Sequence, residues 1–379
     1  MEHSLLREIN KKTLDAYVAA RDYGPEYYFP RFFPFKSTPF LTYETLISSA
    51  GRNIAGDVVT YDSSAPLKTR KVVSKLSGDI PPTRLKFVMS EADLNLYNIL
   101  SAMASPDQKQ ILDLVFRDVD ACVEGCLARL EWLTLQMMSA GTVSLTSSNN
   151  AGIVTETTID FQMAASHKRK IASATGTRVW NNGTTSNYLP VTDMRVLTNA
   201  AKTDGIKLKY AIMNYSKWSE FAVANEVKQL CHPYMGYGLV SDPTKDPMVT
   251  MNAANAGLAA QGLPQIIVID QYITVEINGA QTTADPWLAG TNADDRYVLF
   301  TPDLNLGNMM SGPIAEETNP PKQVTQTKQA NVLVSKYSTV DPVNEYTKGE
   351  INAFPNFFRI DDCYRFSTED TPEADGLDN

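Results

Sequence analysis

The sequence has little of what a disulfide-bonded or a catalytic protein needs. It contains three histidines and four cysteines in 379 residues: Cys122, Cys126, Cys231 and Cys363. Their spacing follows no disulfide pattern, which fits a chain made in a reducing compartment. Cys122 and Cys126 lie one helical turn apart without a histidine nearby to complete a zinc site, so we expect them in the core. Cys231 and His232 are adjacent, which suits a helix end better than a nucleophile and its base.

Motifs of known chemistry and long apolar runs are also missing. No phosphate-binding loop, dinucleotide fingerprint, nucleophile elbow or zinc-protease motif occurs. No apolar run approaches the ~20 residues that span a bilayer, and residues 1–12 carry charges where a signal peptide would be apolar. A formal net charge of -9 does not favour a nucleic-acid-binding protein. These absences argue against an enzyme, a membrane protein and a secreted protein, and we expect no cofactor and no metal.

The most regular pattern runs from residue 105 to residue 141 and predicts one long helix. Its apolar residues recur with helical spacing: Leu112, Val115, Val119, Cys122, Cys126, Leu130, Leu133 and Met137. Its charged residues fall on the other side: Asp113, Arg117, Asp120, Glu124 and Glu131. At about 1.5 Å per residue this helix would be roughly 50 Å long. We expect it to be the spine of an elongated molecule.

The first 35 residues combine a short amphipathic pattern with crowded aromatic rings. Residues 1–22 predict a helix with these residues on one face: Leu5, Ile9, Thr13, Tyr17 and Ala20. The segment YGPEYYFPRFFPF (23–35) follows, and its prolines exclude a regular helix. Two interpretations fit the segment. It is either a turn that packs on the chain's own core or an extended arm whose rings dock on a neighbouring subunit.

Residues 41–90 predict a long β-hairpin that projects from the body. Short strand-like runs at 57–61, 67–76 and 85–89 are separated by turn-forming residues. Seven basic and four acidic residues give this stretch a net charge of +3 in a chain of net charge -9. A basic hairpin on an acidic body suits contact with another copy of that body, and the alternative is a solvated loop.

The remaining patterns alternate between helix and strand. We expect a short helix at 91–104, strands at 142–145 and 153–163, and a loop at 309–321. Residues 190–310 predict a separate α/β lobe with helices at 190–202 and 215–230 and strands at 208–213, 266–269, 272–277 and 296–301. Late strands are expected at 332–336 and 357–364, and the acidic end of the chain resembles a disordered tail.

This order of parts resembles the HK97-type major capsid fold of tailed phages, and within it the lambda-like major capsid protein E family. The stretches that carry the resemblance are YYFPRFFPF (27–35), IAGDVVTYDSSAPLKTRKV (54–72), RYVLFTPDLN (296–305) and YTKGEINAFPNFFRIDDCYRF (346–366). The resemblance implies an α+β fold divided into an N-terminal arm (1–40), an E-loop hairpin (41–90), a P-domain (91–189) with the spine helix 105–141, an A-domain (190–310), a return to the P-domain (311–366) and an acidic tail (367–379). The P-domain sheet would come from 142–165 and 330–366.

The same resemblance implies a function. The chain would be a major capsid protein that assembles into hexamers and pentamers, forming an icosahedral head shell around double-stranded DNA without sequence-specific binding. Its other partners would be scaffolding, portal and decoration proteins, with assembly in the host cytoplasm, a place in the virion and no membrane contact. One alternative is the shell of an encapsulin-type nanocompartment. Another is an enzyme with a defined pocket in the lobe 190–310.

Candidate contacts between copies come from the arm and the hairpin. The arm offers five aromatic residues: Tyr27, Phe29, Phe32, Phe33 and Phe35. The hairpin offers four basic residues: Lys68, Arg70, Lys71 and Lys75.

Overall fold

A computed structural model gives the fold for residues 11–23, 26–48, 73–102, 108–152, 156–170, 180, 188–234, 249–287, 297–321 and 323–368. Within these ranges it describes only the backbone of 45–48, 73–76, 101, 108–115 and 170. The chain divides into two units, each assembled from three separate stretches of sequence. The first unit consists of Met1–Glu44, Ser77–Leu133 and Asn308–Asn356, and the second of Thr45–Leu76, Thr134–Gly307 and Phe357–Asn379.

The described residues contain these α-helices: α1 (Lys11–Ala19), α2 (Phe29–Phe32), α3 (Glu91–Ala102), α4 (Gln108–Ala140), α5 (Pro190–Thr203), α6 (Tyr215–Val223), α7 (Asn225–Cys231), α8 (Met251–Ala260) and α9 (Ala315–Thr318). Helix α4 has 33 residues and confirms the long helix predicted at 105–141. It ends at Gly141, whose φ of +70° is a left-handed conformation that glycine adopts without steric cost.

The strands are β1 (Phe35–Ser37), β2 (Thr42–Ser48), β3 (Val73–Asp79), β4 (Pro82–Met89), β5 (Thr142–Leu145), β6 (Thr157–Asp160), β7 (Lys168–Lys170), β8 (Tyr210–Asn214), β9 (Gln265–Ile269), β10 (Ile273–Ile277), β11 (Ala280–Ala284), β12 (Tyr297–Thr301), β13 (Asn308–Ser311), β14 (Thr325–Gln329), β15 (Val332–Val340), β16 (Val343–Asn356) and β17 (Tyr364–Ser367). Helices and strands together confirm the predicted α+β class.

The first unit is built around a six-stranded sheet centred on β16. The strand order is β1-β13-β16-β15-β14, and β4 also pairs with β16. Strand β16 therefore has three partners: β13 pairs with its last four residues, and β4 and β15 pair with the earlier part. Helix α1 packs on the edge strand β14.

Helix α4 lies directly on this sheet within the first unit. A β-carbon added to Gly349 of β16 would come within 2.9 Å of the carbonyl oxygen of Cys122 in α4. A β-carbon added to Gly125 of α4 would come within 3.1 Å of the Leu85 side chain in β4. Both values are below an ordinary carbon contact of about 3.5–4.0 Å. Glycine on each partner is what lets helix and sheet approach this closely.

The second unit contains a five-stranded sheet of order β7-β17-β12-β8-β9. Strands β8 and β9 are parallel, whereas β12 is antiparallel to both of its neighbours. Helices α5 to α8 bury their apolar faces in one core with this sheet, and each contributes a fully buried residue: Leu197, Phe221, Val227 and Leu258. Strands β10 and β11 form a separate hairpin, and so do β5 and β6.

Several sequence predictions are wrong in the C-terminal half. The single helix expected at 215–230 is two helices, α6 and α7, because Ala224 between them has extended backbone angles (φ -63°, ψ 134°). The loop expected at 309–321 contains most of β13 and all of α9. The strand expected at 357–364 is largely a turn and a 3-10 helix, Ile360–Asp362.

The expected P-domain sheet, built from 142–165 and 330–366, is correct for β15 and β16 but wrong for β5, β6 and β17. Among the described strands, β5 and β6 pair only with each other, and β17 belongs to the five-stranded sheet. The six-stranded sheet instead recruits β1, β4 and β13 from distant parts of the chain. Such non-local pairing leaves no signal in a local sequence pattern.

Candidate subunit-contact surfaces

The aromatic segment at 27–35 is anchored to α4. Phe29, Phe32 and Phe33 are at most 1% exposed in the single chain. They lie in or next to the one-turn helix α2, where Pro30 occupies one of the first two positions and fixes a helical φ. For these three rings the structure agrees with packing on the chain's own core, the first of the two interpretations.

The anchor for this turn is the carboxyl group of Glu131, which is 0% exposed. Its two oxygens accept the backbone N–H groups of Tyr28 (3.0 Å) and Phe29 (2.7 Å) at the start of α2. Glu131 thus replaces the side-chain cap that Tyr28, the N-cap residue, does not provide. Burial raises the pKa of Glu131 to about 7, and the two N–H donors oppose the rise. The sequence pattern placed Glu131 on the polar side of α4 and did not reveal that the turn covers it.

A second carboxylate, Asp120, fixes the segment before the turn. It accepts the phenol O–H groups of Tyr17 (2.7 Å) and Tyr23 (2.6 Å), and Arg21 lies 3.2 Å from it. Burial and the hydrogen bond to Asp120 raise the pKa of Tyr23. The Tyr17 ring also stacks on Phe116 of α4, with centroids 4.1 Å apart.

Helix α1 therefore buries a different face from the one predicted. Its buried residues are Leu14 and Val18, whereas Thr13 and Ala20 of the predicted face are exposed, and Leu5 and Ile9 lie outside the described residues. Tyr17 is only half-buried because its hydroxyl reaches Asp120. Counting the tyrosine as an apolar position shifted the predicted face by one residue.

Tyr27 and Phe35 are the two aromatic candidates that keep exposed surface. Both are half-buried. The Tyr27 hydroxyl donates to the carbonyl oxygen of Glu124 at 3.2 Å, and burial raises the pKa of this phenol to about 12. The Phe35 ring meets Phe29 edge to face, with centroids 5.6 Å apart. Each of these two rings therefore keeps part of its surface exposed in the single chain.

None of the four basic candidate side chains of the hairpin is among those that the structure describes. Lys68, Arg70 and Lys71 lie outside the described residues, and so does the side chain of Lys75. Farther along, two basic residues of β4 have partners within the chain. Arg84 lies 2.7 Å from Glu350, and the Lys86 ammonium lies 4.6 Å from the centroid of the Tyr346 ring. Part of the positive charge of residues 41–90 therefore interacts with other groups of the first unit.

Exposed apolar side chains mark surfaces that the sequence patterns did not indicate. Those on the first unit form four pairs: Phe40 and Leu41 before β2, Phe87 and Val88 on β4, Leu96 and Ile99 on α3, and Val340 and Val343 at the tip of the β15–β16 hairpin. Val340 is 90% exposed, the largest value among these side chains. Exposed apolar residues that lie close together are typical of interaction sites. In sequence they resemble ordinary core positions, so periodicity alone could not identify them.

A buried ion pair lies in the sheet of the first unit. The Lys336 ammonium is 3.8 Å from the carboxylate of Glu345, and both side chains are 1% exposed. Burial lowers the pKa of Lys336, and the negative charges of Glu345 and of Asp118 in α4 oppose that shift. Burial also raises the pKa of Asp118. The arrangement links α4 electrostatically to β15 and β16.

Metal-ligating and thiol groups are the candidates for chemistry in this sequence. The described His, Cys, Asp and Glu side chains form no group that could hold a metal ion, and none of the described helices is long and apolar enough to cross a membrane. All four cysteines are free and buried, and burial raises the pKa of Cys122 to about 12 and that of Cys231 to about 11. These thiols are therefore protonated near neutral pH, unlike nucleophilic cysteines.

One cleft of about 510 Å³ lies in the first unit between α1 and β14. Its lining is mixed and includes Lys11, Asp15, Leu333 and the ion pair between Lys328 and Glu317. The enzyme alternative considered for the sequence places its pocket in the lobe 190–310. This cleft lies outside that lobe.

Comparison with known proteins identifies the fold. The family model for phage major capsid protein E matches residues 11–368. A protein described as the capsid protein of a prophage of E. coli CFT073 superposes with a TM-score of 0.54 at 16% identity, covering 94% of this chain and 98% of that chain. A phage-related protein of Bordetella bronchiseptica RB50 superposes with a TM-score of 0.53 at 13% identity, covering 94% of this chain and 96% of that chain. No curated protein sequence matches the chain. The chain has the HK97-type capsid fold that its sequence resembles.

Proposed function

The chain belongs to the phage major capsid protein E family, and on this premise we propose that its copies assemble as hexamers and pentamers into an icosahedral shell around the double-stranded DNA of a tailed phage. The family match over residues 11–368 carries the conclusion that the protein is a subunit of a phage head shell and belongs to the virion. It also suggests a structural role without enzymatic activity. The nanocompartment alternative is not favoured, because the matching family is one of phage heads.

The proposed domain division follows from the resemblance. Residues 1–40 form the N-terminal arm and 41–90 the E-loop. The P-domain comprises 91–189 and 311–366, the A-domain 190–310 and the acidic tail 367–379. Helix α4 and the six-stranded sheet support a P-domain. Strands β8, β9 and β12 with helices α5 to α8 support an A-domain, whose sheet is extended by β7 and β17 from outside residues 190–310.

Contacts between copies would combine an apolar and a charged component. The apolar component is the set of four exposed pairs on the first unit together with the exposed parts of the Tyr27 and Phe35 rings. The charged component is the group Lys68, Arg70, Lys71 and Lys75, for which an acidic neighbouring copy is the complementary surface. Burial argues against direct contacts by Phe29, Phe32 and Phe33.

Other partners follow from the function. A scaffolding protein would guide curvature, a portal would occupy one vertex and a decoration protein would bind the finished shell. DNA would be enclosed without sequence-specific contacts, which fits the net charge of -9. Assembly would take place in the host cytoplasm.

Negative-stain electron microscopy combined with sedimentation of the purified chain tests the proposal. We expect closed shells, tubes or separate hexameric and pentameric capsomers. A chain that sediments as a monomer or dimer at high concentration, with and without co-expressed phage head proteins, would contradict it.

A further inference from the structure

Strands β10 and β11 of the second unit pair only with each other among the described strands. They are joined by a tight turn at Asn278 and Gly279, whose φ angles are +50° and +78°, and they pair along all five residues of each strand. Every residue of β11 is exposed, and so are Thr274 and Glu276 of β10. A two-stranded hairpin with exposed strands is marginally stable in water by itself, and further strands stabilise it.

The base of this hairpin is fixed to the core of the second unit. Ile273, its first residue, is buried. Directly after β11, Asp285 accepts the side-chain amide of Asn214 at the end of β8 (2.9 Å) and the backbone N–H of Trp287 (2.8 Å). The buried indole of Trp287 donates to the carbonyl oxygen of Tyr297 in β12 (3.0 Å). The hairpin is therefore held in position at its base while most of its length stays exposed.

Each strand of the hairpin presents its own outer edge. The residues that flank the turn, Ile277 and Ala280, form a hydrogen-bonded pair, and such pairs alternate with non-hydrogen-bonded pairs along an antiparallel ladder. The backbone N–H and C=O groups that point outward therefore belong to the alternate residues: Thr274 and Glu276 on β10, and Gln281 and Thr283 on β11.

These two edges lack the features by which proteins prevent strand edges from pairing. Residues 273–284 contain no lysine and no proline, their register is unbroken, and Glu276 is their only charged residue. The five-stranded sheet of the same unit is protected at both edges. At β9, the side-chain amide of Asn255 accepts the N–H of Ile266 (2.7 Å) and donates to its carbonyl oxygen (3.1 Å), as a neighbouring strand would. At the opposite edge, β7 consists of three basic residues.

We propose that β11 of one copy pairs edge to edge with β10 of the next copy, so that the hairpins of a hexamer or pentamer form a closed ring of strands. The inference rests on the proposed function, which supplies the rotational symmetry. A ring requires two different surfaces on each copy, and the two edges of the hairpin meet this requirement. Closing the ring leaves no strand edge unpaired.

One face of the hairpin agrees with such a ring. Val275 and Ile277 of β10 and Ala280 and Ala284 of β11 share this face, and none of the four is buried in the single chain. In a ring of hairpins the apolar faces would lie side by side, and each copy would cover part of the apolar surface of its neighbour.

Disulfide crosslinking of the full-length chain tests the pairing. Thr274→Cys and Thr283→Cys are produced separately and by co-expression, capsomers or shells are isolated by sedimentation, and the samples are oxidised. Thr274 and Thr283 are opposite each other in the hairpin, so a rotation about an axis along the strands brings position 283 of one copy beside position 274 of the next. We expect disulfide-linked dimers on the order of tenfold more abundant in the co-expressed sample than in either variant alone, because only the mixture places two cysteines together.

The single variants are the matched controls, and the four native cysteines are buried. Dimers from Thr283→Cys alone would mean that β11 pairs with β11 of another copy, which overturns the proposal. Capsomers that give no dimers in the mixture also overturn it, while the proposed function stands. If the unmodified chain forms no hexamers or pentamers, the proposed function fails and the ring of hairpins fails with it.

A proline at the edge gives a second test. Thr283→Pro removes an N–H that the hairpin's own ladder does not use, so circular dichroism should be unchanged. We expect the yield of capsomers to fall on the order of tenfold, because the neighbouring strand loses a hydrogen-bond donor and meets the proline ring. Thr283→Val keeps the N–H and the side-chain shape and should assemble like the unmodified chain. Equal yields from Thr283→Pro and Thr283→Val would overturn the proposal.

Discussion

Two single residues determine how closely α4 can lie on the sheet of the first unit. Gly349 of β16 faces the backbone of Cys122, and Gly125 of α4 faces the side chain of Leu85. The two contacts differ in whether the neighbouring atoms can move to make room for an added β-carbon. A leucine side chain can adopt another rotamer, whereas the carbonyl of Cys122 belongs to a helix that cannot shift one residue alone.

We therefore expect Gly349→Ala to lower the free energy of unfolding by about 1–3 kcal/mol through overpacking. Urea unfolding followed by circular dichroism measures the loss. Gly152→Ala is the control, since a β-carbon there has no atom within 4 Å, and it should change stability by less than about 0.5 kcal/mol. If Gly349→Ala and Gly152→Ala lowered the free energy of unfolding equally, the structure would be accommodating the added β-carbon at position 349 by a shift elsewhere.

The Tyr23 hydroxyl should contribute measurably to the attachment of the N-terminal segment. Tyr23→Phe removes the 2.6 Å hydrogen bond to Asp120 while retaining the ring, and we expect a loss of about 1–2 kcal/mol because the acceptor is a carboxylate. A thermal or urea unfolding curve provides the measurement. Tyr272→Phe, at a tyrosine that is 64% exposed, should be neutral, and a similar effect of both substitutions would argue against an anchoring role for Tyr23.

Neighbouring strands β15 and β16 are joined by the buried pair of Lys336 and Glu345. Removal of one partner leaves the other charge buried, so we expect Lys336→Met to cost about 3–5 kcal/mol. The double variant Lys336→Met with Glu345→Leu should recover part of that loss, because the Glu345 charge is then removed as well, whereas Asp118 still lacks the neighbouring Lys336 charge. Equilibrium unfolding of the single and double variants provides the comparison.

The exposed pair of Lys328 and Glu317 is the control for this experiment. Its atoms are closer, at 2.7 Å, but both side chains are about 40% exposed. Lys328→Met should therefore cost less than about 1 kcal/mol. If the two lysine variants were equally destabilised, burial would not be the property that distinguishes the pairs.

Helices and strands with a strong local pattern could be predicted from the sequence. The 33-residue helix α4, the helices α3 and α5, and the strand β5 lie where spacing and capping residues indicated them. Local patterns failed where tertiary contacts decide the conformation. The break at Ala224 interrupts an apolar spacing that continues through it. The 14-residue strand β16 pairs with its hairpin neighbour β15 and also with β4 and β13, which are more distant in sequence.

The contact surfaces were less predictable than the fold. The aromatic crowding at 27–35 indicated burial but could not distinguish a neighbouring subunit from the chain's own α4. Glu131 resembled a solvated charge because nothing in its own helix shows that another segment covers it. Val340 and Val343 are exposed at the tip of a β-hairpin. The alternation of apolar and polar residues along its strands does not show which residues at the tip stay exposed to solvent.

For the assembled protein, the apolar hairpin tip offers a direct test of the proposed contacts. We expect Val340→Asp to leave the fold unchanged, since the side chain is 90% exposed, but to reduce the yield of shells severely, because a charge would have to be desolvated at a contact. Circular dichroism checks the fold, and sedimentation with electron microscopy measures the shells. Val340→Thr, which keeps the shape, should assemble more readily than Val340→Asp. Normal shells from Val340→Asp would exclude this tip from the contacts.

The position of β16 in the chain has a consequence for biosynthesis. A ribosome releases the segments that form β1 and β4 long before it reaches residues 343–356, so the nascent polypeptide cannot complete its six-stranded sheet until residue 356 has been translated. A product terminated before residue 343 would leave the edges of β4, β13 and β15 unpaired, which favours aggregation or proteolysis. Incomplete translation products would thus be removed before they could enter a growing lattice as defective subunits.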